Sequence, residues 1–88
     1  MNVQDRIRDY ITQELGWPGD PAELTGDVAL LDRGIIDSLS VAELSAILQI
    51  EYDVTVEPTD VVKENFASID AIAAFVARKR VPAAGPPT

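Results

Sequence analysis

No cysteine and no histidine occur among the 88 residues. The first absence excludes disulfides and thiolate metal sites and fits a reducing compartment. The second removes the commonest general base and the commonest metal ligand. Without either residue, Ser-His-Asp and Cys-His nucleophilic arrangements cannot be built. Work at a thiol would need a thiol that the chain does not encode. Bases are scarce as well: seven against fifteen acids, for a net charge of −8. Phosphate backbones and anionic lipid headgroups repel such a polyanion, so nucleic acid and membrane surfaces are not expected partners. Long apolar runs are missing too. The longest, Ala71 to Ala77, is far too short to span a bilayer. The charged, amphipathic start MNVQDRIRDY has no secretory h-region. A cytoplasmic protein is expected.

What is present is an ordinary globular balance, 47% hydrophobic and 25% charged, in a length that suits one domain. Val3, Ile7, Ile11 and Leu15 recur every fourth residue, which predicts an amphipathic helix over about residues 2–15, closed by Gly16 and Pro18. Residues 17–36 hold Pro18, Gly19, Pro21, Gly26 and Gly34 among acids and read as a long loop. Leu24, Val28, Leu30, Leu31, Ile35 and Ile36 are placed to pin it to a core. Trp17 is expected to pack there. A second helix is predicted from Ser38 to Tyr52, with Val41, Leu44, Leu48 and Tyr52 on its core face and Asp37 or Ser38 as its cap. Asp53 to Val56 reads as an extended connector. Pro58 to Glu64 suits a short third helix with Val61 and Val62 facing inward. Ser68 caps a last helix, Ile69 to Lys79, whose Arg78, Lys79 and Arg80 end complements the helix dipole. The expected fold is all-α, a small antiparallel four-helix bundle of three longer helices, one short helix and a long first loop. Residues 1–80 form the expected domain, and the Pro/Ala/Gly tail 81–88 is expected to be disordered.

Most site types fail on inventory. There is no Gly-rich phosphate loop, and Asp20, Glu23, Asp27 and Asp32 lack the spacing of a calcium loop, so no metal site and no catalytic residue is assigned. What remains is Ser38, where the long loop becomes the second helix, in Asp37-Ser38-Leu39. A phosphate ester on its hydroxyl would lie near unpaired N–H groups and the positive end of the dipole. The hydroxyl has no base to activate it, so another enzyme would have to modify it. Read from these residues alone, Ser38 is either such a site or a plain capping serine.

Asp37-Ser38-Leu39 resembles the attachment motif of acyl and peptidyl carrier proteins. The flanking segments follow the same order: Val41 to Tyr52, Val54-Thr-Val56, Glu64-Asn-Phe-Ala-Ser-Ile69 and Phe75-Val76. The resemblance implies 4′-phosphopantetheine on Ser38, donated from coenzyme A by a phosphopantetheinyl transferase. It also accounts for the missing cysteine, because the working thiol of such proteins belongs to the cofactor. Gly34-Ile-Ile-Asp-Ser is similar to free-standing carriers of polyketide and nonribosomal peptide pathways and to D-alanyl carriers. Fatty-acid carriers usually place the glycine one residue nearer the aspartate. The implied function is a discrete, non-catalytic carrier that holds an acyl or aminoacyl group as a thioester. Its implied partners are an adenylation enzyme or acyltransferase for loading and a downstream synthase or transferase. Met1 directly before the first helix favours a free-standing protein, expected to be a monomer. The alternative is an unmodified helical adaptor acting only through protein binding; within the carrier class, it is a fatty-acid or D-alanyl carrier.

The second helix also suggests where partners dock. If Val41, Leu44, Leu48 and Tyr52 face the core, the 100° step per residue puts Leu39, Glu43, Ala46 and Ile50 outward, with Ile47 close by. Burying one Leu or Ile contributes ~1.5–3 kcal/mol, whereas an exposed ion pair contributes ~0.2–1 kcal/mol. The patch is therefore expected to act through its apolar side chains, with Glu43 as its main charge.

Overall fold

The computed structural model describes residues 2–80. The expected tail, 81–88, lies outside them. The described residues form four α-helices and no strand: α1 (Val3–Glu14), α2 (Ser38–Tyr52), α3 (Lys63–Phe66) and α4 (Ile69–Arg80). Single 3-10 turns at Pro21–Glu23 and Pro58–Asp60 interrupt the two long connections. The fold is a small helical bundle.

The termini of the helices follow local chemistry. The Asn2 side chain accepts the Asp5 N–H at 2.8 Å and opens α1, while Gly16 just beyond its end sits at φ +71°, a conformation that costs glycine little. The Asp37 carboxylate accepts the Ser40 N–H at 3.0 Å and opens α2, and the Ser68 hydroxyl accepts the Ala71 N–H at 3.0 Å in the first turn of α4.

Ile7 and Ile11 of α1, Leu44 and Leu48 of α2, and Ile72 and Phe75 of α4 meet in one buried cluster. Leu24, Leu30 and Ile36 join it from the long loop, which is thus part of the core rather than a strap over it. Val28, Leu31 and Ile35 pack half-buried around these three, and so does Trp17, whose indole N–H donates to the Asp20 carbonyl. Backbone bonds fix the loop further: the Leu30 N–H donates to the Ala67 carbonyl at 2.8 Å, and the Asp70 N–H of α4 donates to the Gly26 carbonyl at 2.9 Å.

The segment from Pro58 to Glu64 departs from the single short helix read from sequence. It is a 3-10 turn at Pro58–Asp60, then an extended Val62 at φ −127°, ψ 159°, and only then α3. The Asp60 carboxylate accounts for the break. It accepts the Glu57 N–H at 3.0 Å, closing the turn on itself, and pairs with the Lys79 ammonium at 2.8 Å. Val61 and Val62 consequently point outward, 46% and 42% exposed, where the sequence pattern had placed them inside. Tyr52 is half-buried rather than core, with the Arg80 guanidinium 5.9 Å above its ring.

Candidate functional site

Ser38 is the first residue of α2 and is exposed to solvent. The chain has three other serines, Ser40, Ser45 and Ser68, and none of them is exposed. Ser40 donates to the Asp37 carboxylate at 3.2 Å, Ser45 to the Val41 carbonyl at 2.8 Å, and Ser68 caps α4. A modifying enzyme therefore meets one serine hydroxyl that is not already committed to holding the fold.

The approach to Ser38 is shaped by a tight turn. Gly34 sits at φ +70° with its N–H on the Leu31 carbonyl, and the N–H groups of Ile35 and Ile36 both reach the Leu30 carbonyl. Only glycine enters that left-handed conformation without strain. The turn buries Ile36 and leaves Asp37 and Ser38 at the surface. Asp37 then terminates the loop as the cap of α2. The backbone N–H and hydroxyl of Ser40 hold its carboxyl below the usual carboxylate range, against a small opposing effect of desolvation.

Beside Ser38 runs an open, mostly apolar groove of about 360 Å³, walled by Leu31, Val41, Val61, Val62 and Phe66. At its edge the Lys63 ammonium pairs with the Asp32 carboxylate at 2.8 Å. That carboxylate raises the affinity of Lys63 for its proton, mainly through the hydrogen bond between them. The groove exists because Val61 and Val62 turned outward. The sequence pattern gave no sign of it, since two adjacent valines fit a buried helix face equally well.

Of the expected docking residues, Leu39, Glu43, Ala46 and Ile50 are exposed on α2, and Ile47 is only half-exposed. Leu39 and Ile50 are 70% and 82% exposed, and Ala46 is exposed with them. Ile47 is half-buried and packs on the core cluster. Glu43 is exposed, but the buried Tyr10 of α1 donates its hydroxyl to the Glu43 carboxylate. Glu51, the other acid of α2, accepts two hydrogen bonds from the Arg6 guanidinium at 2.9 and 3.0 Å.

The site is thus a helix N-terminus that presents a single free hydroxyl, with no base to use it and an apolar groove alongside. The phosphopantetheine attachment site family matches residues 5–76, and the chain belongs to that family. Lincomycin biosynthesis protein LmbN of Streptomyces lincolnensis is similar to it, with 40% identity over 60 residues, covering 68% of this chain and 22% of LmbN. The chain therefore spans about a fifth of the length of this relative.

Members of this family are carriers that bear covalently attached 4′-phosphopantetheine and work with modifying and biosynthetic enzymes. The residues present fit that group. The cofactor joins through a phosphodiester, for which an exposed hydroxyl at a helix N-terminus is a favourable setting. When bound, it supplies a thiol on a flexible arm, to which an acyl group can be joined as a thioester. No helix of the described residues is long and apolar enough to cross a membrane.

Proposed function

We propose that the chain is a carrier protein of polyketide or nonribosomal peptide-type biosynthesis, pantetheinylated at Ser38 and loaded with an acyl or aminoacyl group by a partner enzyme. The observation that carries the site is the contrast among the four serines: Ser38 alone is exposed. Asp37 and Leu39 flank it, the first capping α2 and the second forming the start of an exposed apolar strip. Similarity to a lincomycin biosynthesis protein supports a place in antibiotic biosynthesis. The chain itself catalyses nothing. Residues 1–80 are its one carrier domain, and it works as a cytoplasmic monomer.

The benefit of such a carrier is physical. Tethering turns each encounter between intermediate and enzyme into a step within one complex, at a high effective concentration. Partners are a phosphopantetheinyl transferase, an adenylation enzyme or acyltransferase, and a downstream synthase or transferase. They dock on α2 through Leu39, Ala46 and Ile50, with Glu43 and Ile47 at the border toward α1.

The test is the intact mass after incubation with coenzyme A and a broad transferase. One phosphopantetheine on the wild type and none on a folded Ser38→Ala variant is the expected result. No adduct with any transferase would favour an unmodified adaptor instead.

A further inference from the structure

Helix α2 carries only two acids, Glu43 and Glu51, and both are engaged by α1. The two contacts are independent. Tyr10 is buried at 3% exposure, and its hydroxyl reaches Glu43 across 33 residues of sequence. Arg6 grips both oxygens of Glu51 across 45 residues and also lies 3.9 Å from Asp9 of its own helix. Between and beyond these two acids, Leu39 and Ile50 stand 70% and 82% exposed.

We propose that Tyr10 and Arg6 are specificity-determining residues, which hold the α2 carboxylates within the chain so that α2 offers partner enzymes an apolar strip in place of an acidic one. The partner that fits has an apolar docking surface, not a basic one. This inference rests on α2 being the docking helix of the proposed carrier.

A bidentate guanidinium-carboxylate pair occupies one acceptor position on each oxygen, the face that a partner's arginine would take in the same bidentate way. A partner base must first displace Arg6, so its net gain is small. Apolar side chains have no such internal competitor to displace before they are buried on association. Two further observations agree with this arrangement. The Glu51 carboxyl lies below its usual range, chiefly through the Arg6 hydrogen bond. Arg6 holds its proton more tightly for the same first reason.

The experiment measures kcat/KM for pantetheinylation of the full chain at about 50 mM and about 500 mM sodium chloride, a range over which screening of exposed charges changes strongly. Arg6→Gln frees Glu51, and Tyr10→Phe frees Glu43 while keeping the buried ring. Arg78→Gln removes the same charge from α4, where its partner is Asn65, and controls for net charge. The expected outcome is a loss of about twofold or less with salt for wild type and Arg78→Gln. Arg6→Gln and Tyr10→Phe should each steepen that loss by about two- to fivefold. Steep salt dependence in the wild type, or equal slopes in all four proteins, overturns the inference.

A second readout does not use an enzyme. The Glu51 carboxyl, followed by NMR, should titrate below the usual range in wild type and return to it in Arg6→Gln. An unchanged titration overturns the claim for Arg6. If the wild type is never modified at Ser38, the carrier reading itself fails, whatever the carboxyl titration gives.

Discussion

The carbonyl of Gly26 accepts the Asp70 N–H at 2.9 Å, and a Cβ built at residue 26 would lie 2.2 Å from the Asp70 carboxylate. The long loop is thereby held against the first turn of α4, with the exposed Asp70 carboxylate filling the space beside residue 26. That contact fixes the middle of the loop whose end delivers Ser38.

Gly26→Ala is therefore expected to destabilise the fold by at most about 1 kcal/mol, because the exposed Asp70 carboxylate has to turn aside to another rotamer. Asp70→Ala in the same chain should relieve most of that loss, because it removes the atoms in the way. Urea unfolding of the four members of this cycle checks it. Additive losses would mean that the close approach is not the cause.

The core makes a second demand. Leu48 is fully buried in the cluster that joins α1, α2 and α4. Leu48→Ala should cost ~2–5 kcal/mol, a large share of what a small domain has to lose. An unfolding midpoint that ignores the change would contradict the packing described.

Both tyrosines have raised pKa values, and Tyr10 is pushed up to about 12, by burial first and by its hydrogen bond to Glu43 second. The folded state thus holds the Tyr10 proton more tightly than the unfolded chain, whose phenol titrates near its ordinary value of about 10. Stability from this source is complete below about pH 10 and is lost as pH rises through about 12. Tyr10→Phe should lose less stability over that window. Phenolate absorbance together with unfolding at each pH measures it, and a Tyr10 titration near 10 in the folded protein would contradict the contact.

On docking, Ile50→Glu and Leu39→Ala should lower kcat/KM for the loading step more than Glu43→Gln, because Ile50 and Leu39 are the most exposed large apolar side chains of α2. Each variant must first be fully pantetheinylated. If Glu43→Gln is the most damaging of the three, recognition runs through its charge.

Much of this was legible in the sequence because the signals are local. The fourfold spacing of Val3, Ile7 and Ile11 marks α1, and Asp37 and Tyr52 bound α2 as expected. Ile7, Ile11, Leu44 and Leu48, read from the stripes of the first two helices, are all buried. What escaped the sequence depends on distant partners. Lys79 on α4 meets Asp60 and helps close the turn that throws Val61 and Val62 outward, which creates the groove beside Ser38. Likewise Glu43 reads as a free outward charge from helical geometry alone. Its link to Tyr10 spans 33 residues, and no periodicity within α2 encodes it.

The most direct test of the central claim uses the missing cysteine. A chain with no cysteine has no thiol of its own, so every protein-bound thiol after modification belongs to the cofactor. Thiol titration of the desalted protein, before and after incubation with coenzyme A and transferase, counts it. None is expected before, one per chain after, and none for Ser38→Ala after the same treatment. A thiol that persists in Ser38→Ala, or fragmentation that places the adduct on Ser40, Ser45 or Ser68, would contradict it.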